Sequence, residues 1–118
     1  MRVLIAGSRN YSDLAGVKKY VLALPEGTVV LSGMARGVDA TAAVAAKERG
    51  LEVEIFPAEW SKYGTKAGIM RNMEMVNSAA FVVCFWDGES SGTAHTMNYA
   101  EQQEKPLLTI RSEINGFG

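Results

Sequence analysis

"LSGMARGVDATAAVAAKERG", residues 31–50, is the stretch on which the fold turns. Leu31 closes an apolar run, Ser32-Gly33 and Gly37 punctuate a turn around Arg36, and an alanine-rich helix is expected over 39–49, stopped by Gly50. That is a strand, a glycine turn and a helix. Glycines there let the backbone bend sharply or let a ligand come close. Arginine between them adds a group that grips phosphate through two parallel hydrogen bonds. The same residues also suit a plain tight turn, with Asp39 as the N-cap of the helix.

Working outward, the same unit recurs. "RVLIAG" (2–7) is a first strand, followed by a helix with Leu14, Val17, Val21 and Leu24 on one face, capped by Ser12 or Asp13 and ended by Pro25 and Gly27. "TVVLSG" (28–33) is the second strand. "LEVEIFP" (51–57) is a third, partly alternating strand that suits a sheet edge. A loop, "AEWSKYGTKAG", leads to a helix over 68–78. "AAFVVCFW" (79–86) is continuously apolar, as in a strand buried on both faces. "DGESSG" opens a helix over 93–103, and "KPLLTI" (105–110) is the last strand. The tail "RSEINGFG" is expected to be mobile at its end. Strands alternating with helices predict a three-layer α/β Rossmann-like fold, with a five-stranded, mainly parallel sheet covered on both faces.

Composition limits the possibilities. The 118 residues suffice for one domain, read here as 1–118, without repeats or linkers. Apolar residues are 47% and charged residues 21%, ordinary values for a globular protein. A net charge of −1 argues against a long polyanion as the main partner, and says nothing against one small phosphate. The lone Cys84 lies in a core strand and forms no internal disulfide. No apolar run approaches the ~20 residues of a membrane span, and the apolar start is too short for a signal peptide, so no membrane partner and a cytoplasmic location are expected.

In a parallel sheet every β-to-α loop emerges at the carboxyl ends of the strands, where ligands bind. Those loops are "GSRNYSD" (7–13), "SGMARGVD" (32–39), "AEWSKYGTKAGIMRN" (58–72) and "WDGESSGT" (86–93). Each contains glycine, and together they hold Arg9, Arg36 and Arg71, three of the six arginines. Helix N-termini with free N–H groups, glycine and arginine are the parts of an anion cradle. The candidate phosphate ligands are therefore Gly7, Ser8, Arg9, Ser32, Gly33, Arg36, Gly37, Asp39, Arg71, Asn72, Ser90, Ser91, Gly92 and Thr93. Trp60, Tyr63 and Trp86 are candidates for stacking on a base, and Asp39 for a ribose hydroxyl. Asp39, Asp87 and Glu89 are the carboxylates available for acid–base work, although Asp87-Gly88 is also ordinary turn chemistry. His95 has no cysteine or acidic cluster around it, so no metal site is expected. Neither a P-loop nor the G-x-G-x-x-G dinucleotide pattern occurs, so no ATP or NAD cofactor signature is present.

"GSR", "SGMARGVD", "AEWSKYGTKAGIMRNMEMV" and "FWDGESSGTAHTMNYA" resemble, in order and spacing, the YspA-like branch of the SLOG superfamily. The resemblance covers residues 2 to 110. It implies a Rossmann-like sheet with a nucleotide or nucleotide-derived ligand at the carboxyl edge, in a sensing or processing module. Two related groups suggest alternatives. The DprA-like proteins, whose motifs match at Ser32, Gly33, Arg36, Gly37, Asp39, Arg71 and Asn72, imply single-stranded DNA as partner. The LOG-type phosphoribohydrolases imply N-glycosidic cleavage of a nucleotide; their Gly-Gly-x-Gly-Thr-x-x-Glu motif keeps Gly92 and Thr93 here but has Ser90, Ser91 and, at the catalytic glutamate, Thr96. Such relatives often dimerise, and Ile69, Met70, Met73, Met75 and Val76 offer an apolar face for a homodimer.

Overall fold

The two longest strands, β1 (Arg2–Gly7) and β4 (Phe81–Trp86), pair with each other at the middle of the sheet. This computed structural model describes residues 1–112. With β2 (Val29–Ser32), β3 (Glu52–Ile55) and β5 (Leu107–Arg111), they form one sheet in the order β3-β2-β1-β4-β5. All four pairings are parallel, so the sheet is wholly rather than mainly parallel. The architecture is the Rossmann-like α/β fold that strand–helix alternation predicts. β3 lies at an edge, where its glutamates reach solvent.

The two faces of β1 seed two cores, because side chains alternate along a strand. Val3 and Ile5 pack with Val17 and Val21 of α1 (Leu14–Leu22) and with Val38, Ala42, Ala45 and Ala46 of α2 (Val38–Arg49). The alanines let α2 lie close to the sheet. On the other face, Leu4 and Ala6 pack with Met75 and Val76 of α4 (Ala67–Ser78) and Ala100 of α5 (Ser91–Gln102). Cys84 is buried there, which pushes its thiol up to about 12 and leaves it a packing group. Of the apolar face expected on α4, Met75 and Val76 are core, while Ile69 and Met70 are exposed. No helix among the described residues is long and apolar enough to cross a membrane.

Some local expectations change. Asp13 caps α1, accepting the Gly16 N–H at 2.9 Å, but the helix ends at Leu22. Pro25 disfavours helical backbone just before it, so Leu24 packs from outside the helix. Leu14, at the first position of the helix, is 37% exposed. The segment 58–66, read as loop, contains a single turn, α3 (Trp60–Tyr63), and a 3₁₀ turn over Gly64–Lys66. Four residues show no helical periodicity in a sequence, so the turn was invisible there. Arg111 belongs to β5 rather than to the tail; the expected mobile end, residues 113–118, lies outside the described residues.

Candidate functional site

Strand order reverses between β1 and β4, and the loops leaving these strands run to opposite faces of the sheet. Such a switch point opens a crevice at the carboxyl edge. A cavity of about 630 Å³ occupies it, within the size range of small-molecule sites.

The β4–α5 loop supplies one wall. Asp87 Oδ1 accepts the N–H groups of Glu89 and Ser90, each at 2.8 Å, and closes the turn into α5. Those bonds hold the Asp87 carboxyl below its usual range. Ser90 is the N-cap of α5, its hydroxyl accepting the Thr93 N–H at 3.5 Å. The N–H groups of Ser91 and Gly92 have no acceptor among the described residues. They lie at the positive end of a helix of 12 residues, and both residues line the cavity. Gly92 has no steric need to be glycine: a Cβ there would meet nothing within 4 Å. Thr96, one turn on, lines the cavity and donates its hydroxyl to the Gly92 carbonyl at 3.1 Å.

The β1–α1 loop brings Gly7, Arg9 and Asn10 to the cavity. Gly7 has no room for a side chain: a Cβ would stand 2.6 Å from the Phe85 carbonyl oxygen and 2.7 Å from Val38 Cβ. Ser8 is buried behind the wall, where its hydroxyl accepts the Asp87 N–H at 3.2 Å and thereby ties the two loops together. Arg9 is exposed at the rim and forms no ion pair among the described residues.

The stretch 31–50 contributes less directly than its composition suggests. Gly37 has φ 86° and ψ −121°, a conformation reserved for glycine, and a Cβ there would stand 2.6 Å from the Arg9 carbonyl oxygen. It thus lets the β2–α2 loop rest on the backbone of the β1–α1 loop. Gly33 admits the Arg71 guanidinium, and the buried Ser32 hydroxyl donates to the Asp39 carbonyl at 3.1 Å. Met34 takes the left-handed conformation at φ 56°, a local strain beside the site. Asp39 is not the N-cap. Gly37 holds that position, and Asp39 sits inside the first turn with 6% of its surface exposed, lining the cavity. Burial pushes its carboxyl up to about 6, against the opposing pull of the Ala35 N–H, Arg71, the Gly7 N–H and Arg9.

The fourth wall comes from α3 and α4. Arg71 is half-buried and donates Nη1 to the Gly33 carbonyl at 2.8 Å and Nε to Asn72 Oδ1 at 2.9 Å. Burial lowers its pKa from the usual arginine value, against the pull of Asp39. Trp60, 55% exposed, stands over Gly68 at the cavity mouth beside Ile69.

Of the residues the sequence assigned to a phosphate, Gly7, Arg9, Asp39, Arg71, Asn72, Ser90, Ser91, Gly92 and Thr93 come together on this cavity. Ser8, Ser32, Gly33 and Gly37 stand behind it as supports, and Arg36 is exposed and does not line it. Among the aromatics only Trp60 lines the cavity; Tyr63 carries Lys62 over its ring, and Trp86 donates Nε1 to the Ser90 carbonyl while Arg111 covers its face. Asp87 and Glu89 line it, and His95 does not. Asn10, Thr65 and Gly68 were missed, although each lies in or next to a glycine-containing loop already singled out. Among the described residues no cluster of three His, Cys, Asp or Glu side chains is arranged to hold a metal ion.

This architecture has known counterparts. DNA processing protein A from Streptococcus pneumoniae superposes with a TM-score of 0.84 at 19% identity, over 96% of this chain and 51% of that one. The chain thus spans about half the length of that protein. DNA processing protein A from Helicobacter pylori, studied for its single-stranded DNA binding mode, superposes with a TM-score of 0.67 at 19% identity, over 98% of this chain and 67% of that one. Both likenesses are of fold. In sequence, the Gene 61 protein of Mycobacterium phage D29 is 38% identical over 119 residues, spanning 92% of this chain and 95% of that protein. Residues 1–63 match the profile of the family described as "YAcAr: YspA, cpYpsA-related SLOG family", and the chain belongs to that family.

Proposed function

We propose that the cavity binds a nucleotide or nucleotide-derived phosphate, with the phosphate at the N-terminus of α5 beside Arg9. The observation that carries this reading is Gly92. Glycine in a helix costs up to about 1 kcal/mol relative to alanine, and here neither φ nor packing calls for it. What it leaves is room in front of the unpaired N–H groups of Ser91 and Gly92, where a tetrahedral anion fits. Trp60 at the mouth supplies an apolar surface for a base. Binding rather than base release is the reading, because Thr96 occupies the position where LOG-type enzymes carry their glutamate.

Single-stranded DNA is the second reading, favoured by the fold shared with the Helicobacter protein and by the exposure of Trp60. The protein's net charge of −1 favours a small ligand over a strand.

Thermal unfolding with AMP, ADP-ribose and NAD tests the proposal, since a ligand that binds only the native state raises Tm. At least one should raise it. Gly92→Ala is expected to stabilise the free protein by up to about 1 kcal/mol and to abolish the ligand-induced rise. A variant that is stabilised yet responds to ligand as before would remove the cradle. No response to any phosphate ligand would remove the reading, and tight, steeply salt-dependent binding of an oligonucleotide alone would put DNA in its place.

A further inference from the structure

Asp39 poses a question that phosphate binding does not answer. Its carboxylate lines the cavity with 6% of the residue exposed, and no cation lies within ion-pair distance of it among the described residues. Its donors are two backbone groups only, the Ala35 N–H in a long hydrogen bond of 3.4 Å and the Gly7 N–H. Arg71 acts on it electrostatically, but directs Nη1 and Nε to Gly33 and Asn72 instead. A buried carboxylate is an acceptor-only group that is costly to leave short of donors. Its negative charge also repels a phosphate, so the anion belongs at the α5 and Arg9 wall and a donor-bearing group at the Asp39 wall. Ribose meets that demand with two vicinal hydroxyls. Within a DNA strand the sugar offers none, because the 2′ hydroxyl is missing and the 3′ oxygen is esterified.

We propose that Asp39 is a specificity-determining residue, which makes the cavity select ribonucleotides over their 2′-deoxy counterparts by accepting hydrogen bonds from the ribose hydroxyls. The inference rests on the phosphate-binding reading above. It deepens that reading by defining the sugar, and it separates this site from a reader of DNA.

The test compares AMP with 2′-deoxy-AMP and 3′-deoxy-AMP by calorimetric titration of the full chain. A hydrogen bond to a charged group contributes roughly ten- to a hundredfold in affinity. The wild-type protein is therefore expected to bind AMP at least about tenfold more tightly than the 2′-deoxy compound. Asp39→Asn should shrink that preference towards onefold while Asp39→Glu keeps part of it. The wild-type comparison needs no variant to fold. Equal binding of AMP and both deoxy compounds would overturn the assignment of Asp39 and leave the phosphate reading standing; it would also show that the adenine amino group, or nothing, satisfies the carboxylate. Preference for the deoxy compound would overturn it in favour of DNA. Binding of none of the three would remove both this inference and the reading on which it rests.

Discussion

Phe85→Ala is expected to destabilise the protein by about 3–5 kcal/mol, the cost of deleting a large aromatic from a packed core. Phe85 is 2% exposed and lies on the central strand β4. Its ring meets Tyr11 and Tyr20 edge-on, with centroids 5.6 and 5.8 Å away, so the deletion also removes two favourable aromatic contacts. Neither tyrosine can follow the vacated space far, because Tyr11 belongs to the β1–α1 loop and Tyr20 to α1. A domain of this size has only about 5–15 kcal/mol of stability in total, so the change takes a third or more of it in many cases. Urea unfolding should show a lower midpoint at an unchanged slope. A loss under about 1 kcal/mol would mean that the α1 face of the sheet is packed differently from the description above. The effect should reach the site as well. The Phe85 carbonyl accepts the Ser8 N–H at 3.0 Å, and Ser8 joins the β1 and β4 loops that flank the cavity.

The second large effect concerns pH. Asp39 has its carboxyl raised to about 6 from 3.8, so its ionisation opposes folding. Below about pH 4 the group is protonated in folded and unfolded chains alike and contributes no pH dependence. Between about 4 and 6 the unfolded chain has released the proton and the folded chain has not, so stability falls as pH rises. Above about 6 the full penalty is present, about 3 kcal/mol for a shift of roughly two units. Arg71 on α4, Arg9 on the β1–α1 loop and Cys84 on β4 are the charged or titratable groups that act with it. Cys84, with its thiol pushed up to about 12, stays protonated across this range. Asp39→Asn removes the ionisation and keeps the shape. The stability difference between variant and wild type should therefore move by about 2 kcal/mol in the variant's favour between pH 4.5 and pH 8, roughly the first third of the penalty being already present at pH 4.5. Denaturant unfolding at both values measures it. A difference that stays constant would mean that the carboxylate is solvated or ion-paired in the folded protein.

Much of the architecture was legible because hydrophobic runs and glycine punctuation report burial directly. "RVLIAG" and "AAFVVCFW" are apolar on both faces, and only central strands of a covered parallel sheet bury both faces. The gathering of four β-to-α loops followed from that alternation alone. What the sequence conceals is how each loop turns. Arg36 and Arg71 look equivalent as arginines beside glycine, yet one is exposed and does not line the cavity, and the other is clamped against backbone carbonyls. Asp39 looked like a cap because aspartate before a helix usually is one. The glycine-only conformation of Gly37 starts the helix earlier and carries Asp39 inward. Trp86 looked available for stacking, but its ring is already used by Ser90 and Arg111. Each of these depends on a backbone dihedral or a long-range contact, which periodicity does not encode.

The central claim is that a phosphate sits on the free N–H groups that open α5. The most direct measurement is an amide NMR titration of the full chain with AMP. Saturable shifts at Ser91, Gly92 and Thr93, joined by Gly7 and Arg9 and absent with adenosine at the same concentration, are the predicted result. Shifts confined to other parts of the fold, or equal shifts with the phosphate-free nucleoside, would contradict it.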